Sequence, residues 1–305
     1  GDLRQERERR KAPTKLLAAF GDPVFYSAST NNTEKAGNEL IAAQTRDIPW
    51  RSTLRDVELN KDSFDPSVIA PLFYAARELR NLRDLAGGGG LVLGEFAATR
   101  ERLLNTDLSE YAILHLATHG FLDPKRPEYS GLLLSTVNSE GKQIDGFVGL
   151  QDIYHLRAPV NIVVLSACQT ALGKDVRGEG LVGMTRGFIH SGASSVVASL
   201  WSVDDGATAE LMKRFYSNLL QQGMSPAEAL RAAQNSIRQE PEWASPYYWG
   251  AFTIQGDYQQ LIKPLPQTAS AASSWKILIV FGLLLLLVGL GWWYRRRRTL
   301  AHMRD

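Results

Sequence analysis

The chain has 305 residues, of which 44% are hydrophobic, and a formal net charge of +2. That length is enough for one large domain or two smaller ones with a substantial core. Five arginines and one acidic residue lie in the last eleven positions, so the rest of the chain is slightly acidic. This balance excludes the basic surface of a nucleic-acid binder, and the presence of one cysteine excludes an internal disulfide and a multi-cysteine zinc site.

The N-terminal residues 1–15 are dominated by charge and predict a linker or the end of a missing N-terminal region. The chain begins with Gly1 rather than Met. We therefore expect a fragment or a processed form, in which further sequence preceded Gly1.

Strand-like and helix-like segments alternate between residues 16 and 258. Short apolar runs predict strands at residues 16–26 (interrupted near 21–23), 91–93, 111–117, 131–135, 163–168, 194–200 and 250–254. Helical spacing predicts helices at residues 65–82, 95–104, 150–156, 178–192, 205–220 and 225–238, the last opened by a capping box at Ser225. Loops are expected at residues 27–38 and 138–146. The alternation predicts an α/β domain with a mostly parallel sheet covered by helices.

Four consecutive glycines at residues 87–90 resemble a phosphate-binding loop only superficially. They precede a strand instead of following it, and no Lys-Ser/Thr pair completes the motif. We interpret them as a turn.

Cys168, the only cysteine, ends a short apolar run that is rich in β-branched residues. Because ligands bind at the carboxyl ends of strands in open α/β sheets, a thiol there would face the crevice. His119 follows a second apolar run, 49 positions earlier. The alternative is a buried structural thiol, since cysteine is among the most buried residue types.

A cysteine attacks as thiolate, and a nearby imidazole is the usual means of activating it. The backbone N–H groups of Gly120 and Cys168 are candidates for stabilising the oxyanion. The other histidines are interpreted as structural: His115 within the strand, His155 and His190 in predicted helices, and His302 in the C-terminal tail.

Four blocks together resemble the CHAT domain, a caspase-like cysteine peptidase family often found beside TPR repeats. They are residues 113–122 (ILHLATHGFL), 165–173 (LSACQTALG), 178–186 (GEGLVGMTR) and 194–205 (SSVVASLWSVDD). The resemblance spans roughly residues 20–257. Caspases, separase and gingipains share the fold, and a His-Gly block precedes an Ala-Cys block in them too.

The resemblance implies that His119 is the general base and acid and that Cys168 is the nucleophile, with no metal or cofactor. The segment containing Asp204 and Asp205 is similar to one that forms an acidic pocket for arginine in separase. It therefore implies cleavage after a basic residue. The alternative is that Asp205 caps a helix that begins at Gly206, with Asp204 favouring the helix dipole. Both can hold for different carboxylates.

The C-terminal part predicts a membrane anchor. A Pro/Ala/Ser linker at 259–275 precedes an uncharged, apolar run at 277–294, and we assign a transmembrane helix to 276–294. Aromatic residues flank the run, and the basic tail 295–305 predicts a cytoplasmic C-terminus with the domain outside. A tail-anchored protein would instead keep the domain in the cytoplasm. Residues 265–269 (LPQTA) resemble a sortase sorting signal.

The predicted function is therefore a membrane-tethered cysteine endopeptidase of caspase-like α/β fold, acting on a protein or peptide substrate. Two alternatives remain open. One is a catalytically silent, caspase-like signalling scaffold at the membrane, and the other is a cysteine-dependent hydrolase or acyltransferase acting on small molecules. A TPR or other N-terminal regulatory region outside this chain is an expected partner.

Overall fold

A computed structural model of the chain describes residues 12–25, 72–87, 89–121, 130–166, 168–169, 179–201 and 203–262. The chain divides into two compact units, Gly1–Leu265 and Pro266–Asp305, and all described residues belong to the first. The loop predicted at 27–38, the helix start at 65–71, the sorting-signal motif and the transmembrane helix at 276–294 lie outside the described residues. None of the described helices has the length and hydrophobicity needed to cross a membrane.

Ten strands are formed by the described residues. They are β1 (Lys15–Gly21), β2 (Gly90–Leu93), β3 (Tyr111–Ala117), β4 (His119–Phe121), β5 (Gly131–Leu133), β6 (Phe147–Gly149), β7 (Ile162–Leu165), β8 (Cys168–Gln169), β9 (Ser195–Ser199) and β10 (Phe252–Gly256). The main sheet has six strands in the order β10-β9-β7-β3-β1-β2, and only the β9–β10 pair is antiparallel. The predicted mostly parallel sheet is confirmed.

Seven α-helices accompany these strands in the described part of the chain. They are α1 (Ala75–Leu85), α2 (Arg100–Asn105), α3 (Leu150–His155), α4 (Glu179–His190), α5 (Asp205–Tyr216), α6 (Pro226–Ile237) and α7 (Pro246–Trp249). Short 3-10 turns lie at Glu95–Ala97, Leu108–Glu110 and Pro241–Trp243, and a π-helical turn, Ser217–Gln221, extends α5. The predicted capping box at α6 is confirmed, since Ser225 and Glu228 bond reciprocally.

The main sheet is buried on both faces, as its continuous apolar strands require. On one face Ile113, Val164 and Val197 pack against α1, α5 and α6. On the opposite face, Leu114 and Val163 pack with residues of α2, α3 and α4. The strands therefore supply alternate side chains to two separate hydrophobic clusters, with the period of two that extended backbone imposes.

A second sheet of four strands, in the order β6-β5-β4-β8, adjoins the carboxyl edge of the main sheet. In this sheet β4 pairs antiparallel with β5 and parallel with β8. The sequence predicted that His119 and Cys168 lie at the ends of main-sheet strands. That was wrong in detail, because β3 ends at Ala117 and β7 at Leu165, and the two residues begin separate strands of the second sheet.

The helix predicted at 95–104 was also wrong in its extent. A 3-10 turn occupies Glu95–Ala97, and α2 begins only after Thr99, whose hydroxyl accepts from the N–H of Arg102 at 3.1 Å. Glu95 has a φ of +49°, which an α-helix cannot contain. A threonine that bonds to the backbone in this way starts a helix, so Thr99 sets the boundary.

Candidate active site

The carboxyl ends of the parallel strands bring the predicted site residues to one edge of the main sheet. Strands β1, β2, β3, β7 and β9 all run in the same direction. Residues that follow them include Asp22 after β1, His119 after β3 and Asp205 after β9. Crevices at such edges are where α/β proteins bind ligands.

His119 and Cys168 are directly paired in the backbone register of the second sheet. The same separation of 49 positions relates Leu116 to Leu165, a pair in the main sheet. The two strands therefore leave the main sheet together and pair again without a change of register. The structure thus brings the two predicted catalytic residues onto neighbouring strands.

The surroundings of His119 hold it against the start of the chain's first loop. Its side chain is buried, and the ring of Phe25 lies with its centroid 5.3 Å from the imidazole centroid. The Phe25 carbonyl accepts from the hydroxyl of Thr136 at 2.9 Å. Thr118, the residue before His119, donates its hydroxyl to the carbonyl of Leu133 on β5. These contacts restrict the position of the imidazole.

Asp204 caps α5. Its Oδ1 accepts from the backbone N–H of Ala207 at 2.8 Å, and α5 begins at the next residue. One interpretation of the sequence had Asp205 as the cap and Gly206 as the first residue of the helix. That interpretation was wrong by one position. Asp204 is exposed but already bonded to its own helix, which accounts for its presence on structural grounds.

Asp205 connects α5 to α1. Its Oδ2 accepts from the backbone N–H of Tyr74, the residue before α1, at 2.8 Å. Burial is the main cause of a raised pKa for this carboxyl, and the charges of Glu78, Asp204 and Asp22 add to the effect. No cation is among the described groups that shift the pKa of Asp205.

Asp22 is a site residue that the sequence analysis did not single out. It follows β1 at the same edge, and its pKa is raised chiefly by burial and then by Glu95, with Arg80 opposing the shift. The signal was available, since an acidic residue after a predicted strand falls at the carboxyl edge of the sheet. Asp22 and Asp205 together make this edge acidic.

Aromatic side chains surround the acidic edge. The Tyr74 ring lies close to Gly206, because a Cβ added there would be 3.4 Å from Tyr74 Cζ. The indole N–H of Trp201, two residues after β9, donates to the carbonyl of Tyr247 at 3.0 Å. Tyr74 and Tyr247 are both exposed. Exposed rings near half-buried carboxylates are suited to contact a long side chain with a cationic end.

His115 is a core residue, as the sequence predicted. It is fully buried, and its Nδ1 lies 3.0 Å from the Tyr216 hydroxyl. Its Nε2 lies 3.1 Å from Oε1 of Glu78, which is also buried. The sequence analysis missed Glu78 and Tyr216, because neither is close to His115 in the sequence.

The two remaining described histidines lie on helices away from this edge. His155 is exposed on α3, and its Nδ1 lies 2.7 Å from the Gln151 carbonyl. His190 ends α4 with its ring 5.2 Å from that of Tyr154, centroid to centroid. Within the described residues, no group of three or more His, Cys, Asp or Glu side chains is placed to hold a metal ion.

Comparison with protein families decides the membership of the chain. Residues 2–257 match the family model of the CHAT domain. The chain belongs to the CHAT domain family. This CHAT domain contains both the six-stranded main sheet and the second sheet that pairs His119 with Cys168.

Two relatives of this CHAT domain are much longer proteins. Tetratricopeptide repeat protein 28 of Mus musculus is 35% identical over 113 residues, which are 37% of this chain and 4% of that protein. The Homo sapiens protein of the same name is 32% identical over 274 residues, covering 80% of this chain and 10% of that protein. The chain therefore spans a tenth or less of the curated relatives it matches.

Among solved structures, the Arg-specific cysteine proteinase gingipain R aligns with 84% of this chain and 50% of its own, at 10% identity and a TM-score of 0.43. The pyridoxal kinase from Staphylococcus aureus in complex with AMP-PCP aligns with 80% of this chain and 99% of its own, at 13% identity and a TM-score of 0.28. At TM-scores below 0.5, neither similarity supports a mechanism for this CHAT domain.

Proposed function

We propose that this CHAT domain is a cysteine endopeptidase that acts through Cys168 and His119. The direct pairing of these two residues on neighbouring strands is the observation on which the proposal rests. Thiolate and imidazole groups held close together are the arrangement that cysteine nucleophiles require. The contact between the rings of His119 and Phe25 restricts the position of the imidazole.

The proposed reaction proceeds in two steps. His119 takes the proton of the Cys168 thiol, the sulfur attacks the scissile carbonyl carbon, and His119 gives that proton to the leaving amine as the C–N bond breaks. His119 then takes a proton from water, which attacks the thioester and releases the carboxylic acid and the thiol. In both steps the N–H groups of Gly120 and Cys168 are proposed to donate to the oxyanion.

For the substrate, we propose a preference for a basic residue immediately before the scissile bond. Asp204 and Asp205 each accept one backbone N–H already, from Ala207 and Tyr74 respectively. Asp205 is the better candidate for the carboxylate that contacts this residue, because it is the more buried of the two and feels the charge of Asp22. The raised pKa values of Asp205 and Asp22 support the proposal, since an arriving cation would compensate both charges. Asp204 adds to the negative field at the same edge.

The activity is tested with a peptidyl acyloxymethyl ketone library varied at the residue before the reactive group. We expect labelling of the wild type and none of Cys168→Ala or His119→Ala, while the matched control His155→Ala is labelled like the wild type. Preference for Arg or Lys, lost in Asp205→Asn, supports the basic-residue specificity. Another preference retains the peptidase and removes Asp205 from the pocket.

A catalytically silent scaffold is the second candidate, in accord with relatives that are tetratricopeptide repeat proteins. It predicts no labelling, even with candidate partners present, and a biological role that survives Cys168→Ala. A small-molecule hydrolase or acyltransferase predicts reaction with simple thioesters and none with peptide probes.

We further propose that residues 276–294 form one membrane-spanning helix, with residues 295–305 in the cytoplasm and a TPR-containing region as regulatory partner. The uncharged run and its aromatic and arginine flanks support the anchor. Carbonate-resistant membrane association that is lost on deletion of 276–305 tests it. Protease protection of the tail in sealed vesicles tests the orientation.

A further inference from the structure

A buried carboxylate connects α1 to the segment that leads to Cys168. Glu78, on α1, is 3% exposed, and its Oε2 accepts from the hydroxyl of Ser166 at 3.0 Å. Ser166 directly follows β7 and lies two positions before Cys168. The hydrogen bond therefore holds the chain at the point where it leaves the main sheet.

The other carboxylate oxygen of Glu78 is held against the centre of the main sheet. Oε1 lies 3.1 Å from His115 Nε2, in a geometry that is not that of a hydrogen bond, and neither atom has a hydrogen-bond partner among the described residues. His115 is fixed in turn, because its backbone pairs with Ala19 on β1 and Val164 on β7. Glu78 thus lies against the rigid middle of the fold.

Four polar groups from three neighbouring segments interact with Glu78 or lie near it. His115 approaches from β3, Ser166 from the end of β7, and Tyr216 and Asp205 from the two ends of α5. Burial raises the pKa of Tyr216 well above its usual value, and the charge of Glu78 adds to that shift. Asp205 in turn bonds to the N–H of Tyr74, which fixes the first turn of α1.

A buried carboxylate is a poor way to stabilise a core. Apolar side chains of similar volume pack there without the loss of solvation, and replacing buried ionic groups by apolar ones is often neutral or stabilising. A contact that orders a segment required for catalysis would explain a glutamate at this position better than stability does.

We propose that Glu78 and Ser166 are positioning residues for Cys168, and that their hydrogen bond keeps the Cys168 segment in register opposite His119. The inference rests on the proposed function, in which Cys168 is the nucleophile. Only Ser166 and Ala167 separate the end of β7 from the start of β8. A shift of about 1 Å in a reacting group can slow a reaction about a hundredfold, so the anchor of so short a connection matters.

The test uses the full chain and the best peptidyl ketone of the library. For Ser166→Ala and Glu78→Met, each of which removes one partner of the hydrogen bond, we expect the limiting labelling rate to fall about tenfold or more. The half-saturating concentration should be unchanged, because nucleophile placement and not peptide binding is affected. The double variant should lose no more than the stronger single variant, because both changes break the same bond. Thr208→Val is the matched control, since Thr208 carries a buried hydroxyl on α5 whose Oγ1 bonds to no group in the described part of the chain.

Hydrogen exchange of the amides at residues 166–169 gives a readout independent of peptidase activity. We expect faster exchange there in Ser166→Ala and Glu78→Met, and unchanged exchange in β9. If the wild type is never labelled, the proposed function is contradicted. Hydrogen exchange then decides whether Glu78 and Ser166 hold the Cys168 segment in place. A Ser166→Ala chain that matches Thr208→Val in rate and exchange, or additive losses in the double variant, would overturn the inference. Should Glu78→Met fail to fold, Ser166→Ala decides by itself.

Discussion

His119 and Cys168 are paired with the same 49-residue separation that relates Leu116 to Leu165 in the main sheet. Strands β3 and β7 thus continue into β4 and β8 as a matched pair, although each breaks before it enters the second sheet. The pairing of two buried strands, β3 and β7, therefore sets the backbone distance between the two proposed catalytic residues.

A cross-strand disulfide tests this pairing directly. Paired residues on neighbouring strands have Cα atoms about 4.8 Å apart, within the roughly 4.4–6.8 Å range that a disulfide spans. Because the chain has one cysteine, His119→Cys should oxidise to a single internal disulfide, measured as loss of free thiol and a monomeric mass lower by two hydrogens. Phe121→Cys is the control, since two positions along β4 place it too far from Cys168. Disulfide formation in Phe121→Cys but not in His119→Cys would contradict the register.

Phe188 on α4 is fully buried in the hydrophobic cluster on one face of the main sheet, so its replacement should strongly affect stability. Phe188→Ala should lower the free energy of unfolding by about 3–5 kcal/mol, because it removes the ring and leaves a cavity. Phe73→Ala, at a position that is 80% exposed, should change it by less than about 0.5 kcal/mol. Urea denaturation followed by circular dichroism measures both, and similar effects would place the ring of Phe188 outside the core.

The capping box of α6 should contribute measurable stability. Ser225 accepts from the N–H of Glu228, and Oε2 of Glu228 accepts from the N–H of Ser225 at 3.1 Å. Ser225→Ala leaves the first-turn donor without its cap and should cost about 1 kcal/mol in urea denaturation. Ser109→Ala, on an exposed 3-10 turn, is a comparison outside any α-helix and should cost less. Equal losses would mean that Ser225 does not act as a cap.

The acidic edge predicts a specific pH dependence. Burial and neighbouring charges raise the pKa of Asp205 in the folded chain, so the folded state binds that proton more tightly than the unfolded state. This contribution to stability is present at low pH and is lost as pH rises through the raised pKa. Asp205→Asn keeps an oxygen for the N–H of Tyr74 but has no charge. Its free energy of unfolding should therefore exceed that of the wild type increasingly as pH rises from about 4 to 7.

The Asp205→Asn variant should itself keep part of the fall in stability with rising pH, because the pKa of Asp22 is also raised by burial. Urea denaturation at several pH values supplies the measurement. Parallel stability curves for Asp205→Asn and the wild type would show that Asp205 is no more buried than an ordinary surface carboxylate.

Local patterns in the sequence predicted those elements whose causes are local. The apolar run of β3 was predicted with its observed limits, and the Ser225 signal placed the start of α6. The cap of α5 was predicted one residue late, because Asp204 and Asp205 both have the right chemistry and only the backbone dihedrals distinguish them. The break between the 3-10 turn at Glu95–Ala97 and α2 was not predicted, because helical spacing of apolar residues continues across Thr99.

The parts of the site that the sequence did not predict depend on contacts between residues far apart in the chain. Glu78 meets Ser166 across 88 positions and His115 meets Tyr216 across 101, and no periodicity encodes such pairs. The blocks around His119 and Cys168 predicted that the two residues meet. They did not predict a second sheet, because two- and three-residue strands are too short to leave a pattern.

The constant register also determines where the chain tolerates changes of length. The turn near Gly141 joins β5 to β6 at the surface, and inserted residues there would lengthen a loop at little cost. One residue inserted between Ala117 and His119, or between Leu165 and Cys168, would offset β4 against β8 and turn one of the paired side chains to the opposite face. Among homologous sequences, these two short connections should therefore keep a fixed length while the turn near Gly141 varies.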